Sequence, residues 1–169
     1  MKIKLFLLVL VVTFALPATA DEDKRTLAFH HTHSGKSLSV EYKVAGEFQQ
    51  EALLQLREFL ADWRDGEQFD IDPELLDALY QIREAAGSIG TFEVISAYRS
   101  QTTNDMLRSK SKGVARSSQH RLGKAIDVRL TDLDTKTLHT TALALGLGGV
   151  GYYRKSDFVH IDTGRVRRW

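Results

Sequence analysis

The stretch Ser118-Gln119-His120-Arg121-Leu122-Gly123-Lys124-Ala125-Ile126-Asp127-Val128-Arg129-Leu130 changes character at its glycine. Before Gly123 it has no periodicity and reads as the end of a loop that starts near Lys110. After it, Ile126, Val128 and Leu130 alternate with Ala125, Asp127 and Arg129, the period of a strand. The apolar face must meet a core, so Asp127 looks toward the opposite surface or a cleft. Downstream, Leu138, Ala142 and Leu145 mark one face of a helix over residues 134–145 that ends at Gly146. Residues 148–153 and 158–163 then read as two strands joined by a short turn.

Upstream, residues 91–97 are rich in β-formers and lead into the polar turn Tyr98-Arg99-Ser100. Thr102 and Asp105 are spaced as a capping box for a short helix to about residue 108. Asp72-Pro73 opens another helix with Leu75, Leu76, Leu79 and Ile82 on its buried face, closed by Gly87. Leu53, Leu56, Leu60 and Trp63 recur at helical spacing, which predicts a helix over residues 49–63. Residues 26–42 alternate on either side of His33-Ser34-Gly35-Lys36 and read as a hairpin. Strand pairs at both ends, with helices between, predict an α+β fold: a small antiparallel sheet with helices packed against it.

Residues 1–20 read as an export signal rather than as structure. Lys2 and Lys4 precede an apolar run from Ile3 to Leu16, and Ala18-Thr19-Ala20 supplies the small residues of a cleavage site. The run falls short of the roughly 20 residues that span a bilayer, so no stable membrane span is expected after processing. Residues 21–169 then form a single domain, with only two prolines in the chain and no linker-like stretch. Removing Lys2 and Lys4 from the 23 basic residues leaves 21 against 22 acids, a balance that argues against a nucleic-acid binder. With no cysteine in the chain, thiolate metal sites, disulfides and a Cys nucleophile are excluded.

The chemistry must therefore rest on His, carboxylates, Ser or Lys. A catalytic zinc takes three nitrogen or oxygen ligands from the protein and keeps one position open. Gly123 lets the chain fold back, so that His120 from the loop and Asp127 from the strand converge. Phe158, His160 and Asp162 alternate with Val159 and Ile161, so a neighbouring strand would bring His160 beside Asp127. Spacing alone leaves a second reading, in which these are ordinary polar residues of a metal-free domain.

The order Ser-x-His-x-x-Gly-x-Ala-x-Asp with a later His resembles the zinc D-alanyl-D-alanine peptidase superfamily, whose fold is shared with the hedgehog signalling domain. More narrowly, five segments look like the murein endopeptidases of the YcbK type. They are residues 96–100, 112–115, 120–127, 148–153 and 157–169. The resemblance implies a zinc peptidase of the periplasm acting on peptidoglycan crosslinks or stem peptides, with His120, Asp127 and His160 as ligands of one Zn2+. It puts Asp157, three residues before the last His, where the superfamily carries the proton-accepting carboxylate. Many members have Glu there, and three residues along a regular strand points to the opposite face, so Asp157 can serve only if it sits in the turn before the strand. Asp162 is the reserve for that role, or orients a ligand from outside.

By the same resemblance Arg99 stands near the scissile carbonyl, and Ser118 matches a substrate-contacting serine. Arg116 belongs to a run of eight Lys or Arg between Arg99 and Arg129 that would attract stem-peptide carboxylates. The other function class is a module that keeps the metal without catalysis and binds or regulates at the cell wall. The run His30-His31-Thr32-His33 lacks a third ligand of suitable spacing, and Arg165, Arg167, Arg168 and Trp169 form a basic aromatic tail.

Overall fold

A computed structural model describes residues 23–111 and 113–169, so the signal-like segment and Lys112 lie outside the described residues. The hairpin forms as strands β1 (Lys24–His31) and β2 (Ser37–Val44), with Leu27, Phe29 and His31 turned inward. A short β3 (Glu47–Phe48) follows, then helices α1 (Gln50–Phe59) and α2 (Pro73–Ala85). The chain returns through β4 (Phe92–Ser96) and α3 (Gln101–Lys110) to β5 (Ala125–Leu130). Helix α4 (Thr135–Leu145) and strands β6 (Gly149–Tyr153), β7 (Phe158–Asp162) and β8 (Arg167–Arg168) complete it.

The sheet corrects the sequence expectation. It has eight strands in the order β3-β2-β1-β4-β5-β7-β6-β8, and it is mixed rather than small and antiparallel. Helices α1 and α2 carry the chain across from the hairpin, so β4 enters beside β1 in the same direction and pairs with it in parallel. At the other edge β8 runs parallel to β6.

Helix ends follow local chemistry. Asp72 accepts from the Glu74 amide at 3.2 Å and Pro73 stands at the first helical position of α2. Asp134 caps α4 by accepting from the Thr137 amide at 3.0 Å. The expected capping box at Thr102 is not the one used. Ser100 caps α3 by accepting from the Thr103 amide at 3.0 Å, and the helix runs on to Lys110. Helix α1 stops at Phe59, short of the predicted residue 63. Beyond Leu60 the Asp62 amide donates to Glu67 O and the Gly66 amide to Asp62 O, which turns the chain.

The core lies on one face of the sheet, under α1, α2 and α4. Leu27, Phe29, Phe92, Val94, Ile126, Val128 and Val159 from the strands meet Leu56, Leu75, Leu79 and Leu138 from the helices. Leu79 is fully buried, so truncation to Ala costs about 2–5 kcal/mol in lost burial and cavity. Antiparallel pairing of β5 with β7 sets Asp127 opposite His160, on the other side of the strands from Ile126 and Ile161. One face of this sheet thus serves stability and leaves the other for polar side chains.

Candidate metal centre

Three elements bring the expected ligands together. His120 sits in a short 3-10 turn (Gln119–Leu122) closed by Gly123 at φ 65°, where a side chain would run into the backbone of Asp70. That turn folds the loop against β5, whose Asp127 faces His160 on β7. His120 Nε2 lies 3.2 Å from His160 Nδ1 and 3.3 Å from Asp127 Oδ1, and His160 Nδ1 is 2.9 Å from Asp127 Oδ1. These three side chains are buried and form the one His, Asp and Glu cluster of metal-binding geometry among the described residues.

The outer nitrogens fix the inner ones. His120 Nδ1 donates to the Ala97 carbonyl at 2.6 Å, a partner that can only accept. His160 Nε2 donates to Asp162 Oδ2 at 2.8 Å. Each imidazole therefore directs a lone pair inward, toward a carboxylate that is also an acceptor. Three acceptors turned on one another repel unless a cation stands among them, and this donor set suits a metal ion. The charges agree. Burial alone would raise the Asp127 carboxyl, but the two histidines outweigh it and hold Asp127 well below the usual carboxylate range. Burial pushes His120 down. Burial works the same way on His160, yet Asp127 and Asp162 overcome it and raise His160.

A cavity of about 390 Å³ opens over these ligands, lined also by Arg99, Ser118, Tyr153 and Phe158. A larger one of about 620 Å³ lies between the β1–β2 turn, the end of α1 and residues 61–68. It contains none of the ligand residues, so size alone does not mark the centre.

Arg99 is nearly buried, with Nη2 3.7 Å from Asp127 Oδ2 and 3.5 Å from Ser96 Oγ. Its buried Nε has no hydrogen-bond partner among the described residues. The backbone on both sides holds it in place: the Arg99 amide donates to His120 O, and the Ser100 amide donates to Asp62 Oδ2. Ser118 lines the cavity, whereas the Arg116 side chain is exposed and outside the lining.

Asp157 does sit in the turn before β7, in the left-handed region at φ 51°. That turn points its carboxylate away from the ligands. Thr135 Oγ1 donates to it at 2.7 Å, Arg129 Nη1 stands 3.7 Å off, and the side chain is 63% exposed and outside the cavity lining. Asp162 has no exposed side-chain surface, and its oxygens are taken by His160, Arg167 and the amides of Gly149 and Gly164. Among the described residues, the one carboxylate lining the cavity is Asp127 itself.

The family described as Peptidoglycan L,D-endopeptidase MepK matches residues 19–169, which spans fold and centre together. The chain belongs to that family. It is 39% identical over 145 residues to "Peptidoglycan L,D-endopeptidase MepK" of Escherichia coli strain K12, covering 86% of this chain and 80% of that one. It is 40% identical over 146 residues to "Probable peptidoglycan L,D-endopeptidase MepK" of Haemophilus influenzae, covering 86% and 78%. Family membership makes the chain a hydrolytic enzyme of a metallopeptidase family, as the sequence motifs imply.

The sequence reading missed Tyr153, Phe158, Arg167 and Trp169 as neighbours of the centre. Trp169 brings its ring to 5.1 Å from that of His160 and donates from Nε1 to Tyr153 Oη. The signal was the alternation of Gly149 and Gly151 in β6: a side chain at either position would collide with Arg167 or Trp169.

Proposed function

We propose that this chain is an exported zinc peptidase that hydrolyses peptide crosslinks of peptidoglycan in the periplasm, with residues 1–20 as a cleaved signal. The observation that carries this reading is the inward-facing triad of His120, Asp127 and His160. A tetrahedral zinc with ligand bonds of about 2.0–2.1 Å sets neighbouring ligand atoms about 3.3 Å apart. The observed separations are 2.9, 3.2 and 3.3 Å. The names of the relatives, each an L,D-endopeptidase, favour crosslinks of that type over D,D-linkages or carboxypeptidase trimming.

Bound zinc would polarise the scissile carbonyl and lower the pKa of a water molecule. The chain's own groups bind and orient around it. Arg99 donates to the carbonyl oxygen as negative charge develops there, from a guanidinium that is already desolvated and backed by Asp127. Asp162 keeps the proton on His160 Nε2, so that Nδ1 remains a ligand. Ser118 contacts the peptide from the cavity wall, and Arg116 acts from outside it by long-range attraction of stem-peptide carboxylates. Asp157 pins the turn before β7 to α4 through Thr135 rather than accepting a proton.

Digestion of purified crosslinked muropeptides, resolved by liquid chromatography and mass spectrometry, tests the reading. Zinc-loaded protein should release monomers from L,D-crosslinked dimers, and chelator should stop it. Intact dimers after prolonged incubation with zinc-loaded protein would favour a wall-binding module without catalysis.

A further inference from the structure

We propose that Arg167 is a positioning residue for the metal centre, acting through Asp162 on His160. The proposal rests on the metal reading above. Arg167 Nη1 donates to Asp162 Oδ1 at 2.9 Å, and Nη2 donates to Oδ2 at 2.7 Å. This two-pronged grip fixes the plane of the carboxylate as a single charge could not. The gripped Oδ2 is the atom that accepts from His160 Nε2. Rotation of the Asp162 carboxylate would swing that acceptor off the imidazole axis and turn His160 Nδ1 away from His120 and Asp127. A chain of direct contacts therefore runs from the surface to the ligand set.

The surrounding residues support the same reading. Strand β8 lies parallel to β6 with Arg167 opposite Gly149, where a Cβ would strike both the guanidinium and Asp162 Oδ2. Two residues along, a Cβ on Gly151 would stand 2.5 Å from the Trp169 ring. The guanidinium lies 4.9 Å from the centre of that ring, which covers it and borders His160. The glycines of β6 thus clear a path by which the last strand reaches the back of a metal ligand. None of this is needed to bury the core, which lies on the other face of the strands.

The test uses the full mature protein and its variants Arg167→Gln, Arg167→Lys, Asp162→Asn and the double variant Asp162→Asn with Arg167→Gln. Zinc dissociation constants come from competition with a chromophoric chelator, and the visible spectrum of the cobalt(II)-loaded protein reports ligand geometry. Arg167→Gln and Arg167→Lys should each weaken zinc about tenfold, the lower end of what outer partners of metal ligands are worth. The cobalt bands should shift in both. The double variant should bind zinc no more weakly than Asp162→Asn alone, because the arginine acts only through that carboxylate.

Unchanged zinc affinity and cobalt spectra in both Arg167 variants overturn the proposal. So does full recovery by Lys, which would reduce the role to charge. Additive losses in the double variant, or a raised KM with zinc affinity intact, would also overturn it, the latter by making Arg167 a substrate contact. Should Arg167→Gln fail to fold without zinc, Arg167→Lys decides alone. Wild-type protein that takes up no zinc sinks the metal reading itself, whereas normal wild-type binding with unaltered variants sinks only this inference.

Discussion

His120 Nε2 and His160 Nδ1 stand 3.2 Å apart, each ring held by an acceptor on its far side, Ala97 O for one and Asp162 for the other. Two imidazoles so arranged cannot both donate inward, and with Asp127 Oδ1 between them they form a three-point receptor for a cation. The expected behaviour of single substitutions follows from this receptor and from the Arg99 guanidinium beside it.

Asp157→Asn should keep zinc and retain activity on muropeptides within a few-fold of wild type. Its carboxylate is bonded to Thr135 and faces Arg129, outside the cavity. A loss of about 100-fold or more, the usual worth of a general base, would mean that the side chain swings to the metal once substrate is bound.

Arg99→Ala should lower kcat by about 100-fold or more, the range for removing an oxyanion donor, with zinc content and KM nearly unchanged. Arg99→Lys should recover little, since an ammonium lacks the planar fork that reaches the carbonyl while facing Asp127. A normal kcat in Arg99→Ala, measured on the zinc-loaded enzyme, would return the residue to a role in fixing the turn.

Much of this centre was legible in the sequence because strands impose parity. Alternation alone set Asp127 and His160 on the face away from the core, and the antiparallel pairing of β5 with β7 makes them direct partners. The direction of the Asp157 side chain was not legible, because a left-handed turn residue obeys no parity. Its direction is set by Thr135, on a different element. The mixed sheet escaped for a similar reason: parallel pairing of β1 with β4 depends on how α1 and α2 cross over, not on the pattern within either strand. The edge strand β8 is two residues long, too short to show a period, and the signal of its close approach lies in the glycines opposite it.

Away from the centre, Asp77 ties the first strands to α2 by accepting from Tyr42 Oη at 2.8 Å, Lys43 Nζ at 2.6 Å and Arg25 Nη1 at 3.1 Å. Burial alone would raise its carboxyl, but these three partners outweigh it and hold Asp77 below its ordinary value of 3.8. A depressed folded-state value makes its stabilisation complete above about pH 4 and lost as pH falls through that lower value. Asp77→Asn should cost about 2–3 kcal/mol at pH 7, the worth of hydrogen bonds to a charged group. In chemical denaturation of zinc-free protein, the gap between wild type and variant should close toward pH 2. A gap that persists there would show that packing, not charge, is what the substitution removes.

Elemental analysis of the mature protein, beside His120→Ala, tests the metal centre most directly. The triad requires one tightly held zinc per wild-type chain after exhaustive dialysis, and none in His120→Ala, because two remaining protein ligands compete poorly with water. Stoichiometric zinc retained by His120→Ala, or wild-type protein free of zinc after reloading and dialysis, would contradict it.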